Sequence, residues 1–170
     1  MKENNTYWVW AQFTKEDADK IKFFQDKIRY NLNGPIFEPH LTLSGPIFSN
    51  DLEGICDKLR LIVKYFSYLE LETSGINLEQ SEYQGFYIDI ILNNRLKALK
   101  DNIDFSLNIK NSIYHPHISL HYGDSPTLVK KKVLSLLKFR DTIFKVDRVS
   151  VADVDELNNK WNVIHSIKLQ

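Results

Sequence analysis

Two short stretches of this chain set an imidazole beside a hydroxyl at the same spacing. Pro39-His40-Leu41-Thr42-Leu43 and Pro116-His117-Ile118-Ser119-Leu120 both read proline, histidine, aliphatic, hydroxyl, leucine, and Gly45 and Gly123 follow them. An unperturbed imidazole titrates at about 6.5, so one histidine can accept a proton while another donates one. Thr and Ser hydroxyls can donate hydrogen bonds to oxygens on which charge grows in a transition state. Two such pairs around one phosphorus atom suit hydrolysis of a phosphodiester. One neutral imidazole would activate water and one protonated imidazole would serve the leaving oxygen. The hydroxyls would hold the non-bridging oxygens, and neither a metal nor a covalent nucleophile is needed.

A single His-x-Thr is ordinarily structural. The repetition carries the argument, and it constrains the elements that must present the side chains. In a strand, alternate side chains share a face. His40 and Thr42 then point one way and Leu41 and Leu43 the other; the same holds for His117 and Ser119 against Ile118 and Leu120. Each motif is followed by a helix start, at Asn50 or Asp51 and at Ser125-Pro126, and the motifs lie about half the chain apart. This is the pattern of an internal duplication. Around the motifs, period and capping predict strands over 7–13, 40–48, 69–78, 86–92, 116–122, 142–153 and 160–168. They predict helices from Thr14 to 32, to about 64, over 94–107, and from Pro126 at the first helical position to about 138. No glycine-rich turn follows any strand, and the alternation lacks a parallel-sheet rhythm. The expectation is an α+β fold over residues 1–170, one two-lobed unit with antiparallel strands around a central cleft and helices outside.

The motifs are similar to the two His-x-Thr/Ser signatures of the two-histidine phosphoesterase superfamily. Phe37-Glu38-Pro39-His40-Leu41-Thr42 and Pro116-His117-Ile118-Ser119-Leu120-His121-Tyr122-Gly123 most resemble the cyclic phosphodiesterases of plants and yeast. Fainter likeness runs through 7–11, 83–87 and 161–169. The resemblance implies hydrolysis of ADP-ribose 1″,2″-cyclic phosphate, or of nucleoside 2′,3′-cyclic phosphates to 2′-phosphates. It implies His117 as base on water, His40 as acid on the departing 3′ oxygen, and Thr42 and Ser119 as phosphate ligands. Tyr122 matches a tyrosine that helps place the water, although strand alternation sets it opposite His117 unless the strand bends near Gly123. Plant members carry disulfides, which the single Cys56 here cannot form. His121 stands where an apolar residue is usual and is expected at the cleft rim.

A nucleobase needs a flat apolar wall. Trp8 and Trp10 share one strand face, and Tyr83, Phe86 and Tyr87 flank Gly85. Of these, Trp10, Tyr83 and Phe86 are the candidates for stacking on a base, with Tyr83 and Phe86 at the cleft mouth. His115, His117 and His121 suggest a metal site only weakly, because zinc needs at least three ligands of compatible geometry and no cysteine lies nearby. No metal or cofactor is expected. Lys130-Lys131-Lys132 reads as a solvated helix face, His165 as a surface or packed side chain, and Cys56 as a buried apolar one.

Lys plus Arg and Asp plus Glu number 22 each. Gripping a long nucleic acid usually takes a basic excess, so the expected partner is a small cyclic nucleotide and not a stably bound polymer. No apolar run reaches the roughly 18 residues of a membrane span, and the first five residues lack an apolar signal core. The expectation is a monomeric cytoplasmic enzyme. Two alternatives stay open: the same chemistry on an RNA end or a cyclic-nucleotide signal, and a non-catalytic nucleotide-binding module.

Overall fold

Capping side chains set most of the boundaries between elements. Thr14 ends strand β1 (Asn5–Phe13) and opens helix α1 (Lys15–Asn31), its hydroxyl accepting the Asp17 amide at 3.4 Å. Asp51 accepts the Gly54 amide at 2.9 Å and separates β2 (Leu41–Ser49) from α2 (Leu52–Val63). Strands β3 (Leu69–Asn77) and β4 (Phe86–Ile90) follow. Asn93 then accepts the Leu96 amide at 2.9 Å and starts α3 (Asn94–Leu107), which Asn108 ends in the left-handed conformation that asparagine tolerates. Beyond β5 (His117–His121), α4 (Thr127–Leu136) departs from expectation. Pro126 caps this helix from outside and is not its first residue, and its carbonyl accepts the Val129 and Lys130 amides. Strands β6 (Ile143–Asp155) and β7 (Lys160–Lys168) complete the order. This computed structural model describes residues 5–79, 85–110, 113–123, 125–155, 158 and 160–170.

All strand pairings among the described residues are antiparallel. One lobe runs β2-β1-β6-β7 and the other β5-β4-β3. The lobes meet at β2 and β5 through the pair Leu41–Ile118, and again where β3 joins the first residues of β6, from Leu69–Val146 to Glu72–Ile143. Long β6 serves three neighbours: β1 along one edge, then β3 and β7 in succession along the other. The sheet therefore closes on itself like a barrel. The internal duplication is visible in the topology, since β1-α1-β2-α2 and β4-α3-β5-α4 are equivalent units with β2 and β5 side by side.

The helices pack against the outer face of this sheet. There Val9, Ala11, Phe13, Leu41, Leu43, Ile88 and Ile118 meet Ile21, Ile28, Leu59, Leu96, Leu99 and Ile103 in one buried cluster. Burial of this order, at roughly 25 cal/mol per Å² of apolar surface, is the main force fixing strand parity. Cys56 lies in the same core. The run Lys130-Lys131-Lys132 is not uniformly solvated, contrary to expectation. Lys131 and Lys132 are exposed, but Lys130 is 1% exposed and donates to the Glu79 carbonyl at 3.1 Å.

Candidate active site

The register of β2 and β5 brings the two motifs together. Leu41 lies opposite Ile118, and both are fully buried in the helix-side core. One residue either way along that register sets His40 opposite Ser119 and Thr42 opposite His117. Parity places all four on the other face, which lines the cleft. The outer neighbours continue the same rows: Trp10 of β1 opposes Thr42, while Asp89 and Tyr87 of β4 oppose His117 and Ser119.

Both imidazoles are anchored by the same device. His40 Nδ1 lies 2.7 Å from the Glu38 carbonyl oxygen, and His117 Nδ1 lies 2.9 Å from that of His115. A carbonyl only accepts, so each Nδ1 carries the proton and donates it to the residue two positions upstream. That fixes the tautomer and leaves Nε2 of each ring as the lone-pair site of the neutral form. Burial lowers the proton affinity of both rings. His40 is 3% exposed, and burial holds it at about 4, with the charge of His117 adding to the effect. His117 is more open, and burial is the main cause of its lowered value too.

The rings differ in what surrounds them. Trp10 stacks on His40 face to face, centroids 3.6 Å apart and planes at 8°, and Phe37 meets His40 edge-on at 5.9 Å. His117 stands among polar groups. Tyr87 meets it edge-on at 5.4 Å and donates its hydroxyl to Glu79 at 3.0 Å. Burial, then that carboxylate, pushes the Tyr87 hydroxyl up to about 12. Asp89, directly across from His117, is bound by His115 Nε2 at 2.6 Å and by Asn77. The carboxylates of Asp89 and Glu79 favour the His117 imidazolium, while His115 opposes it.

Each lobe also reaches over to hold the other's motif backbone. Tyr114, between α3 and β5, donates its hydroxyl to the Thr42 carbonyl at 3.0 Å, and Gln25 of α1 donates to the Ser119 carbonyl at 3.4 Å. Buried Lys100, paired with Asp104, sits 4.8 Å above the Tyr114 ring. The carbonyls are thus engaged, while the Thr42 and Ser119 hydroxyls have no hydrogen-bond partner among the described residues.

A family model described as the 2′-5′ RNA ligase superfamily matches residues 15–158, a span that contains both motifs. The chain belongs to the 2′-5′ RNA ligase superfamily. The two-histidine phosphoesterase resemblance is shown at that level. Solved structures share the fold of this superfamily member. A phosphoesterase superposes with a TM-score of 0.68 at 13% identity over 97% of this chain and 98% of its own. LigT of E. coli gives 0.66 at 13% over 99% of each chain, and TT0787 of Thermus thermophilus gives 0.63 at 11% over 96% and 97%. No curated protein matches the sequence.

The remaining expectations meet this superfamily member's structure unevenly. Trp10 is 2% exposed and its face is taken by His40, so it backs the imidazole and has no face to offer a base. Phe86 is fully buried in the helix-side core, edge-on to His121, and not at the cleft mouth. The parity of β4 decides this, since Phe86 shares a face with Ile88 and Tyr87 takes the other. Tyr83 lies outside the described residues. Tyr122 falls just beyond the end of β5 and stacks on Phe37 at 4.1 Å, on the side of the site where Phe37 meets His40. His121 is buried, not at the rim. A methyl group on Gly34 would come within 2.5 Å of its ring and one on Gly123 within 3.2 Å, so these glycines make room for it. Among the described residues no group of three His, Cys, Asp or Glu is placed to hold a metal ion. Sequence reading placed Phe37 in the first motif without a role, and missed Asp89, Gln25 and Tyr114 as parts of the site. The alternation of Tyr87-Ile88-Asp89 was the available signal for Asp89; a contact between lobes leaves none for the others.

Proposed function

We propose that this protein hydrolyses a small cyclic phosphate by metal-independent acid-base catalysis at His40 and His117. The substrate is a nucleoside 2′,3′-cyclic phosphate, opened to the 2′-phosphate, or ADP-ribose 1″,2″-cyclic phosphate. The observation that carries this is the mirrored anchoring of two imidazoles, each through Nδ1 to a backbone carbonyl, on one face of adjacent strands. The motif likeness to plant and yeast cyclic phosphodiesterases supports the substrate class. E. coli LigT, which shares the fold, has been crystallised with phosphate, ATP, 3′-AMP and NADP+.

The unlike surroundings of the two rings support unlike roles. Asp89 and Glu79 strengthen His117 as a proton acceptor, so His117 Nε2 takes a proton from water. The water oxygen attacks phosphorus opposite the 3′ oxygen, a bond to phosphorus forms, and the bond to O3′ breaks. His40 Nε2 gives its proton to that departing oxygen, while the Thr42 and Ser119 hydroxyls donate to the non-bridging oxygens. The leaving oxygen belongs to the nucleoside, and the aromatic side of the cleft is the side of His40. Burial keeps His40 neutral in the free protein at pH 7. The acid form arises in the complex, where the phosphodiester charge favours the imidazolium and the Trp10 face supports it.

The test is a product assay on 2′,3′-cyclic AMP with and without EDTA. Adenosine 2′-phosphate is the expected product, EDTA has no effect, and His40→Ala and His117→Ala each lower kcat by at least about a hundredfold. Loss of activity on chelation, or full activity in either variant, overturns the reading. A second reading keeps the chemistry and moves it to an RNA end bearing a cyclic phosphate; the family's description favours it. Turnover of a cyclic-phosphate-ended oligonucleotide more than tenfold above that of the mononucleotide would establish it.

A further inference from the structure

We infer that Trp161 of β7 is the platform on which the substrate's nucleobase stacks, and so the residue that selects a base-bearing cyclic phosphate. The inference rests on the ring-opening reading and follows from which aromatic faces are already taken. Outward from His40, the cleft carries an aromatic wall from four elements and their flanks: Trp8 and Trp10 of β1, Phe37 ahead of β2, Tyr122 after β5, and Trp161 of β7. Trp10 gives its face to His40 at 3.6 Å. Phe37 and Tyr122 are both buried and stack on each other at 4.1 Å with planes at 20°. Trp8 lies against Gly45, where a methyl group would come within 2.6 Å of the indole ring and where φ of +137° already favours glycine.

Trp161 is different. It is half-buried, and it meets Phe37 at 6.2 Å with planes at 60° and Tyr122 at 5.6 Å with planes at 45°. These contacts are tilted and not stacked, and the indole otherwise packs against the cluster of Trp10, Ala152 and Val154. Among the described residues no ring stacks on it. It also stands one ring beyond His40, because Phe37 touches both. A base one sugar removed from a phosphate at His40 falls on that side. The equivalent position beyond His117 holds polar groups instead: Tyr87 with Glu79, and His115 with Asp89. The pseudo-symmetric cleft therefore has one flat apolar end and one charged end, matching a ligand with a base at one end and incoming water at the other.

The experiment compares two five-membered cyclic phosphates, 2′,3′-cyclic AMP and glycerol 1,2-cyclic phosphate, which has no base. In Trp161→Ala, kcat/KM for the nucleotide falls at least about tenfold, through KM, as loss of one stacking contact requires. Turnover of the glycerol ester stays within twofold of wild type. Trp161→Phe restores the nucleotide to within a few-fold. Equal losses on both substrates, or no loss on either, overturn the assignment. Calorimetric titration with adenosine 2′-monophosphate reads the platform without turnover. The Kd is expected to weaken about tenfold in Trp161→Ala, and an unchanged Kd overturns the inference. Absence of ring opening by the wild-type protein, with the Kd shift intact, sinks the reaction and leaves the platform standing.

Discussion

His40 and His117 share an anchor but not an environment, and their pH dependence should show it. Burial depresses both rings, His40 to about 4. In the proposed mechanism the productive form has His40 protonated and His117 neutral, and kcat/KM reports the free enzyme. Its optimum is therefore expected on the acid side of the ordinary imidazole value of about 6.5, falling as pH rises through neutrality. The kcat optimum lies higher, because a bound phosphodiester anion raises both rings. A pH-rate profile on 2′,3′-cyclic AMP checks both; coincident optima at or above about 7 would contradict the assignment. The two limbs belong to the coupled pair and not to either ring alone. That the four motif residues share one face was legible in the sequence, because spacing alone gives strand parity. The burial of His40 was not, since Trp10 reaches it from a strand far earlier in the chain.

Among the elements, the two cross-lobe hydrogen bonds give the site its precision. Tyr114 holds the Thr42 carbonyl and Gln25 the Ser119 carbonyl, so each hydroxyl is positioned by the opposite lobe. Tyr114→Phe removes one hydroxyl and leaves a buried carbonyl short of a donor. We expect kcat to drop several-fold to tenfold with KM little changed, and stability to fall by about 1–3 kcal/mol. Single-turnover kinetics alongside urea denaturation separates the two effects, and an unchanged kcat would make the contact purely structural. Helices and strands were largely visible beforehand, because capping residues and alternation are local. Thr14, Asp51 and Asn94–Leu107 fell where sequence placed them. Lys130 and Phe86 did not. A lysine run says nothing of which member a neighbouring carbonyl will claim, and glycine at 85 says nothing of which face the next ring takes.

For the whole molecule, buried imidazoles tie folding to pH. Burial holds His121, like His40, at about 4, with the charge of Lys130 adding to the effect. Between about 6.5 and 4 the unfolded chain binds protons that the folded chain refuses. Stability is therefore full above about 6.5 and lost as pH falls towards 4. His121→Leu removes one such group. Between pH 7.5 and 5.0 the wild type should lose about 1–2 kcal/mol more than the variant in urea denaturation; equal losses would mean that the ring charges freely in place. The duplication was readable from two motifs half a chain apart. The closure of the sheet was not, since β6 dividing one edge between β3 and β7 is a matter of partners and leaves no periodic mark.

That division of labour in β6 has a consequence for how the enzyme comes into being. During synthesis both histidine motifs leave the ribosome before residues 143–155, the segment that fastens the first strand to the third. Until then the halves meet through the brief β2–β5 seam and the side-chain bonds across it, without the strand that joins β1 to β3. The nascent polypeptide carries every reactive side chain yet lacks the clasp, so competence arrives late in translation and all at once.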